Sequence, residues 1–218
     1  MKELGPKKLQ GAQTRAKIQD AATRLFVSQG FTRTPISEIA GSLGRTKGAL
    51  YAHFASKEEL LLSLIERFET DYLDRVIDEV VSTEGNAWAK LNRFVSFSSE
   101  FAEKNKDLCL LLTIVSAELQ GAETPASLAL FHAYDKYTEF VARLVDEGKG
   151  QGVFESSLDT DLVAHVIIAF HDGVLFQWQR TGGRLGGPPF VKTFRRVLLR
   201  GLAPAPEPSP GGTPPDQA

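Results

Sequence analysis

The sequence predicts an all-α fold, and three observations carry that prediction. Apolar residues recur with helical spacing along nearly every segment, and strict two-residue alternation is absent. Glycine and proline fall between periodic segments of roughly 10 to 25 residues. Helix-start signals stand where those segments begin: Thr34-Pro35, Thr46-Lys47, the Ser56/Glu59 pair and Pro125.

The first helix is expected from about Thr14 to Ser28, with Ile18, Ala21, Ala22, Leu25 and Phe26 as its apolar stripe and Gly30 at a left-handed C-terminal cap. The second starts with Thr34 as N-cap and Pro35 in the first turn. It carries Ile36, Ile39, Ala40 and Leu43, and Gly44 ends it. The third opens at Thr46 and runs through KGALYAHF. In the fourth, Ser56 and Glu59 have the spacing of a capping box, and apolar residues continue from Leu60 to Tyr72, Val76 and Val80.

Residues 86–103 and 106–120 read as two helices meeting near Asn105. Another runs from Pro125 to about Glu147. A glycine-marked connection, 148–159, leads to a helix from Asp161 to Gln179 that is apolar over too much of its circumference for one-sided burial. The last helix is expected from Phe190 to Leu202. The organisation predicted is a flexible arm at 1–13, a helix-turn-helix unit at 14–60, a second helical domain at 61–202 and a disordered proline-rich tail at 203–218, about nine helices in all.

Charge divides the chain. Residues 1–57 hold ten Lys/Arg against three Asp/Glu, while the remainder holds fifteen against twenty-four. A basic first quarter on an acidic body points to a polyanion at one end. One cysteine, Cys109, excludes an internal disulfide and cysteine-based zinc sites, and its apolar setting points to a buried structural thiol. No apolar run is long enough to span a membrane, and the start lacks the apolar core of a secretory signal. A cytoplasmic protein is expected, with no metal and no cofactor. His165 and His171 do not share a helix face, and neither a nucleophile elbow nor a phosphate loop is present, so an all-α enzyme is disfavoured.

The third helix carries the functional signal. At about 100° per residue, Leu50 and Phe54 share the inward face. Gly48 and Ala52 lie opposite with Ala49 beside them, Lys47 and Tyr51 flank one side, and Thr46 and His53 the other. So flat a surface suits close approach to a groove floor, where alanine methyls can meet thymine methyls and longer side chains reach phosphates. Two short helices joined by a glycine-containing turn give the helix-turn-helix arrangement.

These residues resemble the N-terminal DNA-binding domain of the TetR family of bacterial transcriptional regulators. The resemblance runs over residues 14–60: Thr14-Arg15, Ile18, Ala21-Ala22, Leu25-Phe26 and Gly30-Phe31; then Thr34, Ile36 and Glu38-Ile39-Ala40; then GRTKGALYAHF from Gly44 to Phe54, and Ser56-Lys57-Glu58-Glu59-Leu60. It implies a homodimer whose third helices enter the major groove of a palindromic operator. It also implies a ligand-responsive regulator, acting as a repressor at the nucleoid and released by a small, largely apolar inducer. By the same resemblance Lys47 and Tyr51 contact DNA, with Thr34, Thr46, Ala49, His53 and Lys57 supporting them. Ala49, Ala52 and Arg45 depart from the family's usual residues, so the operator does not carry over, and Arg45 adds a phosphate contact of its own. The alternative kept open is a DNA-binding regulator that senses no small molecule.

The ligand pocket is expected among the helices of residues 86–147 and the 161–179 helix, where an apolar lining with a few polar groups suits a small molecule. Its candidates are Phe94, Phe97, Phe101, Glu118, His132, Tyr134, Tyr137, Phe170 and His171. The last two helices are expected to form an intersubunit four-helix bundle through Val163, Val166, Phe170, Val174, Phe190, Phe194, Val197 and Leu198. The fourth helix is expected to link pocket and reader as a rigid lever.

Overall fold

The computed structural model describes residues 5–182, 184 and 188–204. Among these residues the chain forms α-helices alone, apart from one π-helical turn: α1 (Pro6–Gln29), α2 (Ile36–Ser42), α3 (Lys47–Tyr51), α4 (Lys57–Phe68), α5 (Asp74–Val81), α6 (Ala87–Glu118), α7 (Pro125–Gly150), α8 (Thr160–Arg180) and α9 (Pro188–Leu202). No helix among them is long and apolar enough to cross a membrane.

The N-terminal unit packs α1, α2 and α3 around Ile18, Ala21, Ala22, Phe26, Ile39, Ala40, Leu50 and Phe54, all buried. Helix α1 begins at Pro6, well before the expected Thr14. Proline suits a first turn, and the glutamines and lysines that follow are good helix formers, so the helix extends over much of the supposed arm. Gly30 has a positive φ of 91°, but its ψ of 150° is extended rather than left-handed helical. A side chain there would collide with the Glu118 carboxylate, 2.5 Å from where its Cβ would sit.

Caps set the other boundaries. Thr46 accepts a hydrogen bond from the Ala49 amide, and Ser56 from the Glu59 amide at 2.9 Å. The carboxylate of Glu59 reaches back to the Ala55 amide rather than to Ser56. Thr124 and Ser127 form a reciprocal capping box ahead of α7. The expected single fourth helix is divided: a π-helical turn, Glu69–Leu73, stands between α4 and α5. Such widened turns recur at functional sites, and this one swings Tyr72 into the interior, where it is 1% exposed. The two helices expected to meet near Asn105 do so: α6 is kinked there, with non-helical backbone at that residue (φ −129°, ψ 35°).

The C-terminal domain packs α8 against α7 and α6, with α4 entering beside α7. Its outer face keeps Leu162, Val166, Phe170 and Val197 exposed. Leu198, expected on that outer face, is 6% exposed and belongs to the subunit's own core, because α9 turns Leu198 and Leu202 inward. The proline-rich stretch from residue 205 on, and residues 1–4, lie outside the described residues.

Phe26 is the deepest aromatic of the N-terminal core, edge-on to Phe31 at 5.1 Å. Phe26→Ala should destabilise the protein by about 3–5 kcal/mol, read as a lowered urea midpoint with unchanged slope.

Candidate nucleic-acid interface and the cavities behind it

Helix α3 is held by two side chains. Leu50 and Phe54 are 2% and 3% exposed and anchor it to the core. Lys47, Gly48 and Ala52 are exposed, and Tyr51 is 51% exposed. Ala49 and His53 are half-buried at the edges; Arg45 and Thr46 are exposed in the turn. The surface is therefore smooth, open and bordered by donors. A residue that the helical wheel did not bring forward secures its far end. Arg15 of α1 donates from Nη1 to the His53 carbonyl at 2.7 Å and stacks its guanidinium over the Phe54 ring at 4.0 Å.

Two of the expected phosphate contacts have other employment. Thr34 is 0% exposed, and its hydroxyl donates to the Gly30 carbonyl at 2.6 Å, leaving Pro35 as the cap of α2. The threonine-proline pair suits a cap, but the loop from α1 needs a buried donor at that point. Lys57 donates from Nζ to the carbonyls of Phe31, Thr32 and Thr34 at 2.8, 3.2 and 3.1 Å and sits over the Phe31 ring at 4.5 Å. An ammonium has three donors, and these carbonyls take them all. Burial lowers its pKa against the opposing pull of Glu118.

Glu118, expected in the pocket, stands at the end of α6 and accepts from the amides of Phe31 and Thr32 at 3.1 and 2.9 Å. The loop between α1 and α2 is thus gripped from both sides: its amides by α6, its carbonyls by the start of α4.

Two cavities lie among the helices of the C-terminal domain, with His171 and Leu175 lining both. The larger, about 70 Å³, is mostly apolar, with Phe94, Val95, Val174, Trp178 and Phe194 among its walls and Ser98, Ser99 and Glu103 as its polar lining. The smaller, about 20 Å³, is bounded by Phe68, Cys109, Thr113, Tyr134, Tyr137 and Asp172. A chain of polar groups crosses the wall. The Tyr72 hydroxyl lies 2.8 Å from Ser98 Oγ and 3.2 Å from the Tyr137 hydroxyl, which lies 3.3 Å from His171 Nδ1. The Tyr72 ring stacks parallel to the imidazole.

Burial governs the protonation of these groups. It pushes His171 down to about 4 and keeps it neutral. It lifts Asp172 to about 6, against hydrogen bonds from the Thr113 and Tyr134 hydroxyls. It raises the Tyr134 phenol and the Cys109 thiol to about 12 and holds the Tyr137 phenol protonated.

Four pocket candidates thus line the cavities: Phe94, Tyr134, Tyr137 and His171. Phe97 and Phe101 pack on the Tyr72 ring instead, at 6.2 and 5.1 Å. His132 is exposed on the solvent side of α7, edge-on to Phe131. Phe170 is 45% exposed and leans on Phe194 over the outer groove between α8 and α9. Asp172 was missed, although a carboxylate amid HVIIAFHDGVLF is a visible signal. Among the described residues, no cluster of three His, Cys, Asp or Glu could hold a metal.

Comparison with known proteins covers both halves. Residues 18–64 match the family model of bacterial regulatory proteins of the tetR family, and residues 84–202 that of the tetracyclin repressor-like C-terminal domain. The HTH-type transcriptional repressor KstR2 of Mycobacterium tuberculosis is 26% identical over 188 residues, which are 86% of this chain and 92% of that protein. The nucleoid occlusion factor SlmA of Klebsiella pneumoniae is 30% identical, over 75% of this chain and 81% of that one. The crystal structure of the MbdR regulator from Azoarcus sp. CIB superposes with a TM-score of 0.79 at 32% identity, covering 86% and 97% of the two chains.

The two abnormal titrations oppose each other. Asp172, raised in the folded state, contributes stability at low pH that is lost as pH climbs through about 6. His171, depressed from 6.5 to about 4, contributes stability above 6.5 that is lost as pH falls through about 4. Asp172→Asn should therefore gain stability relative to the parent as pH rises from about 4 to 6, by up to about 1.4 kcal/mol per pH unit. His171→Gln should lose it over that window. Urea midpoints at several pH values check both signs.

Proposed function

The chain belongs to the tetR family of bacterial regulatory proteins, and from that membership we propose that it is a homodimeric, ligand-responsive transcriptional repressor. The observation that carries the reading is the open surface of α3, where exposed Lys47, Tyr51 and Ala52 stand over buried Leu50 and Phe54. Lys47 and Tyr51 reach the phosphates and base edges of a major groove, with Arg45, Thr46, Ala49 and His53 around them. Thr34 and Lys57 act one step back, by fixing the loop from which α2 starts.

Dimerisation uses the outer apolar strip of α8 and α9, where Val166, Phe170 and Val197 are exposed and Val163, Val174, Phe190 and Phe194 are half-buried beside them. So much exposed apolar side chain on adjacent helices marks an interface. A twofold axis there presents two reading helices to two half-sites about one turn of DNA apart, roughly 34–36 Å.

The cavities beside His171 are the effector site. Two helices that line the smaller one end on the same reader loop. Helix α4 runs from Phe68 at the cavity to Lys57 on the loop carbonyls, and α6 runs from Cys109 and Thr113 at the cavity to Glu118 on the loop amides. An occupant that shifts either helix moves the loop, and with it α2 and α3. The lever thus has two arms, where the sequence offered one. Regulation is the whole of the activity in this reading. The protein works in the bacterial cytoplasm, on DNA.

Genomic fragments captured by the purified protein should yield a twofold-symmetric footprint. Lys47→Ala and Tyr51→Ala should each weaken binding to such a fragment by about 1–3 kcal/mol, with the melting temperature unchanged because both side chains are exposed. Unaltered affinity in both variants would remove α3 from the interface.

A further inference from the structure

We propose that the effector is a primary amine on an apolar aryl or alkyl body, with its ammonium seated against Asp172 in the smaller cavity and its body in the larger one. This deepens the reading of the cavities as the effector site and rests on it.

Asp172 sits in the middle of an apolar helix, half-buried, and lines the smaller cavity. It accepts from the Thr113 and Tyr134 hydroxyls. Among the described residues no lysine, arginine or histidine forms an ion pair with it. The other ionisable groups around the cavity are neutral: His171, Tyr134, Tyr137 and Cys109. Burial lifts the carboxyl only to about 6, so above that pH the cavity carries one uncompensated negative charge. A buried charge without a partner is costly, and a site that keeps one is built for a cation from outside.

The walls agree. Phe68, Tyr134 and Tyr137 line the same cavity as the carboxylate, and aromatic rings attract ammonium groups. A volume of about 20 Å³ admits one group the size of a water molecule, so –NH₃⁺ fits and a trimethylammonium does not. Beyond His171 and Leu175 the larger cavity is mostly apolar, with Ser98, Ser99 and Glu103 as its polar lining. An occupant spanning both must turn those two side chains aside, which disturbs α8 where it meets the two arms of the lever.

Four probes of one body separate the chemistries: phenylbutylamine, phenylbutanol, phenylbutyrate and phenylbutyl-trimethylammonium. Calorimetric titration of the full chain near pH 7.5 should rank the amine at least about tenfold tighter than the alcohol, with the carboxylate and the quaternary amine weakest. Asp172→Asn should bring amine and alcohol within about threefold of each other. The proposal is overturned if the amine does not bind, if alcohol or carboxylate equals it, or if its advantage survives Asp172→Asn. Should that variant not fold, the rank order on the unsubstituted protein decides. A tight, Asp172-dependent amine that leaves DNA binding unchanged would keep the ligand class and sink the effector reading instead.

Discussion

The short loop between α1 and α2 is the joint on which the molecule turns. Its backbone polar groups are shared between two charged side chains from different parts of the fold. Lys57 takes three carbonyls and Glu118 takes two amides. Hydrogen bonds to charged groups are among the stronger ones a folded chain makes, and five of them on one loop leave it little freedom. Gly30 belongs to the same device, since a side chain there would displace the Glu118 carboxylate. Thr34 closes the loop from inside through its bond to Gly30. The orientation of α2 and α3 is thus set by groups belonging to helices that reach the cavities beside His171.

The interior trades stability for that arrangement. A well-packed apolar core would hold neither a carboxyl at Asp172 nor an imidazole at His171, since each is driven toward its neutral form by burial. Their opposite slopes with pH offset each other between about pH 4 and 6, so stability varies less with pH there than either group alone would make it. The π-helical turn adds to this: by inserting Tyr72 between Ser98 and Tyr137 it gives the cavity wall a continuous polar chain. Groups so arranged are sensitive to what lies beside them, as a sensor requires.

Much of this was legible in the sequence, and the failures share a cause. The helical class, the caps at Thr46 and Ser56, the inward pair Leu50 and Phe54, and the open side of α3 follow from local periodicity and side-chain chemistry, which act within a turn or two. Family resemblance at residues 14–60 sharpened the same picture. What was lost depends on partners distant along the chain. Lys57 reads as a free cation until its carbonyls, 23 to 26 residues earlier, are in place. Glu118 reads as a pocket residue until its amides, 86 and 87 residues away, are seen. Leu198 has the pattern of an interface residue, but which side of α9 faces the subunit is a tertiary matter. Asp172 is the exception: its carboxylate inside an apolar helix is a local clue, but the hydroxyls that hold it, on Thr113 and Tyr134, lie far away along the chain.

The proposed dimer and the proposed effector site are not independent surfaces. Val174, Phe190 and Phe194 line the larger cavity and also the outer groove between α8 and α9. One face of each side chain therefore borders the proposed effector site while the other lies in the groove proposed for the partner subunit. Side chains in close-packed surroundings cannot adjust on one side without being felt on the other. Filling the larger cavity presses on the interface, and docking a second subunit confines the cavity from outside. The spacing of the two reading helices depends on that interface, and the tilt of each depends on the loop held by Lys57 and Glu118. A ligand lodged at His171 touches both controls at once, so a small displacement there can alter spacing and tilt together.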